Sequence, residues 1–278
     1  VLVQSQGASA PWSFLADNIR TITMTQLFIL TGASRGMGAA MADQLLDAGH
    51  RLLCLSRHRN AALDAKTAAH STPCEQWEID LAQPVEAAAR LQAWLAGLTA
   101  DESTALTTAT LINNAAALTR IGTLDDCSDA ELSAAMRVGL EAPMLLTAAF
   151  LRATRGWPAA RRVLNISSGL GRRAMAGQAS YCAAKAGMDH FTRALALDEA
   201  HRPGGARVAS LAPGVVDTDM QVQLRSADAA GFPDQAAFIG LKQNGQLASA
   251  AQAAASVLAW LERPDFGSEP IGDVRGLK

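Results

Sequence analysis

Tyrosine is almost missing from this chain. A single one, Tyr181, stands among 278 residues, against 7 Phe and 5 Trp. A surplus of either charge is missing too: 24 Lys and Arg against 26 Asp and Glu leave a formal net charge of −2. That balance gives no electrostatic footprint for nucleic acid or an anionic membrane surface. Cysteine is sparse, and Cys54, Cys74, Cys127 and Cys182 lie far apart without a C-x-x-C pair. They read as reduced thiols of a cytoplasmic protein rather than a disulfide frame. The five histidines (His50, His58, His70, His190 and His201) show no zinc-ligand spacing, so no metal is expected. No uncharged apolar run reaches the roughly 20 residues that span a bilayer, so no membrane partner is expected.

Apolar side chains, by contrast, are plentiful. With 49% hydrophobic and 18% charged residues the chain is not a disordered polymer, and its 22 glycines follow no collagen repeat. The length suits one large α/β domain or two small ones, either with a sizeable core. Residues 1–23 have neither a basic start nor a continuous apolar stretch, which argues against a secretory signal. The ordered pattern begins just after Met24, so residues 1–23 are expected to be a loose extension and Met24 a candidate start.

From there short apolar runs alternate with longer amphipathic stretches. Strands are expected over residues 26–31, 51–56, 74–79, 108–113, 162–167 and 207–212. Helices are expected over 38–48, 84–98, 129–153, 179–200 and 247–262, with Pro84 tolerated in a first turn. Strands alternating with helices predict βαβ units and a parallel sheet covered on both faces. No linker or composition break divides the pattern, so one doubly wound domain over residues 24–278 is favoured.

The first strand runs into Thr31-Gly32-Ala33-Ser34-Arg35-Gly36-Met37-Gly38, and a helix follows directly. Three glycines at this turn permit positive φ and let the backbone approach a pyrophosphate, while the helix N-terminus offers free N–H groups and a positive dipole end. The T-G-x-x-x-G-x-G spacing resembles the coenzyme loop of the short-chain dehydrogenase/reductase family. Further matches follow in order: Asp80-Leu81, Asn113-Asn114-Ala115, Asn165-Ile166-Ser167-Ser168, Tyr181-x-x-x-Lys185 and Pro213-Gly214-x-x-x-Thr218. The resemblance covers about residues 26–220. It implies a Rossmann-like fold with a seven-stranded parallel sheet flanked by helices, assembled as a homodimer or homotetramer.

The coenzyme read from these residues is NADP(H). The second strand ends Cys54-Leu55-Ser56-Arg57, without the acid that would bind a ribose 2′-OH and repel a 2′-phosphate. Arg57 can offer a planar fork of donors to a phosphate, Arg35 lies where the family often has a second basic residue, and His58 and Arg59 add donors. By resemblance, Gly32, Ser34, Arg35, Gly36, Met37 and Gly38 form the phosphate loop. Asp80 and Leu81 contact the adenine, Asn113 and Ala115 border the nucleotide, and Pro213, Gly214, Val216 and Thr218 flank the nicotinamide.

Tyr181 and Lys185 are four apart in a helical stretch and share a face. A phenol with its usual pKa near 10 is a poor acid–base catalyst at neutral pH, and a neighbouring ammonium is expected to move it towards the working range. Ser168, thirteen residues earlier and at a strand end, matches the family's serine, with Ser167 as the competing candidate. The implied reaction passes a hydride from NADPH to a carbonyl carbon. Tyr181 donates the proton, Ser168 hydrogen-bonds the oxygen, and Lys185 holds the nicotinamide ribose and tunes Tyr181.

One position departs from the family. Val138-Gly139-Leu140 carries Gly139 where many members have Asn, which leaves a second reading open: an NADP(H)-binding regulatory or weakly active protein. The stretch Pro213-Gly214-Val215-Val216-Asp217-Thr218-Asp219-Met220-Gln221 looks most like the sepiapterin reductase and benzil reductase branch, whose members reduce pterin side chains or vicinal diketones. Asp273 would be the acidic residue that anchors a pterin there. The region 214–246, with Met220, Leu224, Phe232, Phe238 and Ile239, reads as a lid that closes, with Leu170 and Met175, over a small-molecule carbonyl substrate.

Overall fold

A computed structural model describes residues 25–69 and 73–276. The expectations for residues 1–23 and Met24 lie outside that range. The first half of the chain runs β1 (Thr25–Thr31), α1 (Gly36–Asp47), β2 (Arg51–Ser56), α2 (Ala61–Ala69), β3 (Cys74–Glu78), α3 (Pro84–Ala96), α4 (Ala100–Thr104) and β4 (Leu106–Asn113). It continues through α5 (Asp129–Met136), α6 (Ala142–Ala153), β5 (Ala160–Ile166), α7 (Ala179–Ala200) and β6 (Arg207–Ala212). The last elements are α8 (Asp219–Ser226), α9 (Gln235–Gln243), α10 (Ala250–Leu261) and β7 (Ile271–Asp273).

A pleated strand sends alternate side chains to opposite faces, and here both faces are apolar. In β1, Phe28 and Leu30 join the core on one side of the sheet while Leu27 and Ile29 join the core on the other. β2 repeats the pattern with Leu52 and Cys54 against Leu53 and Leu55. α1 and α10 close the first side through Met41, Leu45, Val257 and Trp260. α3 and α6 close the second through Leu91, Leu95, Leu146 and Phe150, with Leu195 of α7 packed at its edge.

The strands form one seven-stranded parallel sheet in the order β3-β2-β1-β4-β5-β6-β7. Chain order reverses direction beside β1, so the ends of β1 and β4 open a crevice at the C-terminal edge, the place where such sheets bind ligands. The fold is Rossmann-like, as expected.

Three local differences have physical reasons. The expected helix 129–153 is α5 and α6 joined by a π-helical turn, Arg137–Glu141. Pro143 has no N–H to return to the carbonyl four residues back, and the Ala142 N–H bonds instead to Arg137. This stretch is also the one described helix long and apolar enough to cross a membrane, but half of its most apolar window is buried within the protein. The seventh strand is only three residues long, Ile271–Asp273, paired with Ser210–Ala212. Region 214–246 holds two helices, α8 and α9, with Phe232 fully buried and its ring 5.5 Å from that of Phe238.

Candidate functional site

The crevice is built from strand ends that hold one another by main-chain contacts. Thr31 Oγ1 accepts from the backbone N–H of Asn114 at 2.9 Å and of Ala115 at 3.0 Å. Asn114 Nδ2 in turn donates to the Thr31 carbonyl at 3.0 Å. On the other side the Gly32 N–H donates to the Leu55 carbonyl at 2.8 Å, and the Ala33 N–H to Ser56 Oγ at 2.8 Å. Thr31, Ser56 and Asn114 escaped the sequence reading as site-builders. Their signal was a polar residue at the end of an otherwise apolar strand, or one position past it for Asn114.

The glycines of the loop do separate jobs. Gly32 (φ 71°) and Gly36 (φ 57°) occupy the left-handed region. Gly38 does not, but a Cβ there would lie 2.0 Å from the Gly32 carbonyl oxygen, so helix and turn could not meet. α1 starts at Gly36 with no acid in its first turn and no side-chain cap from Arg35, which leaves its N-terminal N–H groups and positive dipole end facing the crevice. Thr218 lies over this turn, its methyl 3.4 Å from where a Cβ of Gly36 would be. These donors and this close approach suit the phosphates of a dinucleotide.

Around the loop several expected residues stand elsewhere than assumed. Asn113 is buried: its Nδ2 donates to Asn165 Oδ1 at 2.9 Å and Thr147 Oγ1 at 3.2 Å, so its side chain ties β4 to β5 and α6, and its backbone is left to the crevice edge. The Met37 side chain packs in the core, leaving its backbone to the loop. Arg35 pairs with Asp219 at 2.8 Å across the cleft, joining the loop to α8. Arg59 is held by Asp64 and the Gln76 carbonyl, whereas Arg57 and His58 are exposed at the end of β2. Ser34 is half-buried in the loop. Asp80 is exposed and folds its carboxylate onto the Ala82 N–H, beside a buried Leu81. Ala115, Pro213, Gly214, Val216 and Thr218 are half-buried along the same edge.

The reacting groups meet at the ends of β5 and the start of α7. Ser168 starts a 3-10 turn and its Oγ accepts from the Leu170 N–H at 3.2 Å, while Ser167 turns inward with a buried, unpartnered hydroxyl. Ser168 faces Tyr181, and its hydrogen bond favours the phenolate. Lys185, 2% exposed, donates from Nζ to the Ile166 carbonyl at 2.7 Å and lies 5.7 Å from the centre of the Tyr181 ring.

Loss of hydration pushes the Tyr181 phenol up to about 12, with only Ser168 opposing it. The same burial lowers Lys185 to about 8, partly offset by the Asp189 carboxylate. In this structure the ammonium is anchored on a carbonyl rather than on the phenol, so Tyr181 is held neutral and protonated.

Gly139 lies buried inside the π-helical turn, where a Cβ would be 3.0 Å from the Ala184 Cβ, next to Lys185. A side chain there would need Ala184 of α7 to give by a few tenths of an ångström. Asp273 pairs with Arg275 through 2.9 and 2.6 Å contacts that hold its carboxyl below the usual range. A cleft of about 330 Å³ is lined by Thr119, Arg120, Ile121, Gln223 and Ser226 among others, with none of Ser168, Tyr181 and Lys185 in its walls. It is tied to the site by Thr119 Oγ1, 3.0 Å from Ser180 Oγ.

Comparison with known proteins fits this geometry. A family model described as short chain dehydrogenase matches residues 26–229. The chain is 31% identical to benzil reductase ((S)-benzoin forming) of Bacillus cereus over 246 residues, 88% of this chain and 96% of that protein. It is 31% identical to sepiapterin reductase of Xenopus tropicalis over 255 residues, 87% of this chain and 93% of that protein. A short-chain dehydrogenase/reductase of known structure from Burkholderia vietnamiensis superposes with a TM-score of 0.58 at 33% identity, covering 91% of this chain and 98% of that one. From sheet order to site, the chain belongs to the short-chain dehydrogenase/reductase family of oxidoreductases.

Proposed function

We propose that the protein is an NADPH-dependent carbonyl reductase acting on ketones, vicinal diketones or pterin-like carbonyls. The observation that carries this reading is the convergence of Ser168, Tyr181 and Lys185 at the mouth of the glycine-lined crevice. The α1 N-terminus and the loop Gly32–Gly38 would hold the pyrophosphate, Arg57 the 2′-phosphate, and Lys185 the nicotinamide ribose. A bound reduced nicotinamide supplies the hydride.

The protein's own groups handle the oxygen and the proton. A carbonyl oxygen placed between Ser168 Oγ and the Tyr181 hydroxyl receives two hydrogen bonds, which strengthen as negative charge gathers on it. Tyr181 then gives up its proton to that oxygen. The phenol is protonated at neutral pH and the alkoxide formed is a far stronger base, so the transfer runs towards the substrate oxygen. Lys185 stabilises the phenolate left behind. The apolar and polar walls of the 330 Å³ cleft accept the rest of the substrate.

Pairing in this family-like fold is proposed through α6 and α7, where Met144 (41% exposed) and Leu197 (66% exposed) lie on the surface. NADPH consumption with benzil, other diketones and sepiapterin, beside simple aldehydes and steroids and repeated with NADH, tests the reading. No turnover with any carbonyl, or equal kcat/KM with both coenzymes, overturns it.

A further inference from the structure

A carboxylate that the chemistry above does not use lies fully inside the protein, one helical turn beyond Lys185. Asp189 is 1% exposed. Its Oδ1 accepts from Ser210 Oγ of β6 at 2.6 Å, and its Oδ2 from Arg172 Nε at 3.0 Å. Arg172 belongs to the loop that begins at Ser168, and its Nη2 reaches on to the Gly272 carbonyl of β7 at 2.9 Å. The same loop passes so close that a Cβ on Gly171 would sit 3.0 Å from Asp189 Oδ2 and 2.9 Å from the Lys185 carbonyl oxygen.

A buried charge without compensation costs several kcal/mol, so such a carboxylate persists only where cations and donors surround it. Here the charges alternate from the interior outwards: Lys185, Asp189, Arg172, Asp273, Arg275. Arg275 closes the series 3.9 Å from the position of a Gly169 Cβ, next to Ser168.

We propose that Asp189 is a positioning residue, which keeps Lys185 in its ammonium form and, through Arg172, fixes the Ser168 loop onto the helix that carries Tyr181. Resting on the reductase reading for its catalytic meaning, the assignment has its own physical consequence in the charge state of Lys185. Among the described residues, Asp189 is the carboxylate that acts on Lys185. Among the described residues, α7 also brings Tyr181 and Cys182 to this region, β6 brings Ser210, and β5 brings the Ile166 carbonyl. The charged residues of α5 and the π-helical turn, Asp129, Glu131, Arg137 and Glu141, are all exposed.

The sequence makes the test unusually clean, because there are four lysines, Lys66, Lys185, Lys242 and Lys278. Lysine-selective isotope labelling and an NMR pH titration, with Lys185 identified by its loss in Lys185→Arg, read this ammonium directly and without turnover. In the unaltered protein its midpoint is expected near 8. In Asp189→Asn it should fall by about one unit or more, and kcat/KM should drop by roughly fivefold at pH 8 while changing little at pH 6. Arg172→Gln removes the cation that faces Asp189 and should move the Lys185 midpoint the other way, upwards, which keeps the test open even where Asp189→Asn does not fold. An unmoved midpoint in either variant, or an activity loss equal at all pH values, makes Asp189 a packing residue and overturns the proposal. Shifted midpoints in a protein that reduces no carbonyl would leave Asp189 in control of Lys185 and remove only the reductase reading.

Discussion

The two walls of the cleft are held by different means. On the coenzyme side, β1, β2 and β4 meet through backbone donors, short polar side chains and glycines whose replacement would bring backbone strain or, at Gly38, a clash. On the substrate side, α8, α9 and the chain's last elements are tied by long side chains. Asp217 takes Lys242 and Arg225, Asp219 takes Arg35, and Asp273 takes Arg275. Most of these pairs are partly or largely exposed, where ion pairs contribute little and are screened by salt. The first wall is rigid by steric necessity, whereas the second can be rebuilt with other residues, which suits a surface that selects substrates.

The largest effect expected lies where the walls meet. Tyr181→Phe should lower kcat by about 10²–10⁴-fold, the range of general acid catalysis, with NADPH affinity retained in a fluorescence titration. Because Tyr181 is the one tyrosine in the chain, tyrosinate absorbance reports it alone. The folded protein should show a midpoint near 12, and the unfolded chain one near 10. A folded pKa above the unfolded one means that this contribution to stability is complete below pH 10 and is lost as pH rises towards 12. A folded midpoint below 10 would show the phenolate to be favoured instead.

The contrast between the walls is sharpest in their glycines. Gly38→Ala drives a methyl into the Gly32 carbonyl and should cost at least about 1–3 kcal/mol in urea unfolding, with coenzyme binding weakened as well. Arg57→Ala should reduce the preference for NADPH over NADH by about 10–100-fold, the worth of a charged hydrogen bond, as measured by the ratio of kcat/KM values. Gly240, inside α9 with open space around it, gives the smallest change and the opposite sign. Gly240→Ala should stabilise the protein by up to about 1 kcal/mol and leave turnover unchanged. Equal losses of stability at Gly38 and Gly240 would erase the distinction between the walls.

Much of the coenzyme wall was legible in the chain, because its determinants are local. Six apolar runs mark β1 to β6, and the glycine spacing marks the turn that one of them enters. β7 was not, since three residues carry no periodicity and its pairing with β6 is a long-range event. The π-helical turn needed the joint presence of Pro143 and the close contact of Gly139 with Ala184. The motif marked Asn113, and it could not show that the side chain turns to Asn165 and Thr147, partners that lie 52 and 34 residues away. Arg35 met Asp219 across 184 residues.

The amino-acid order by itself determined the alternation of strands and helices, the glycine turn, and the thirteen- and four-residue spacings that tie Ser168, Tyr181 and Lys185 together. Those properties depend on side-chain periodicity and on backbone freedom, which act between near neighbours. Tertiary structure alone decided the protonation of the site. Burial raised Tyr181 and lowered Lys185, and it brought Asp189 and Arg172 from separate segments to balance the charge. Hydration and Coulomb forces depend on what surrounds a group in space, so the lone tyrosine could be located from the sequence, but its proton could be assigned only after the chain had folded around it.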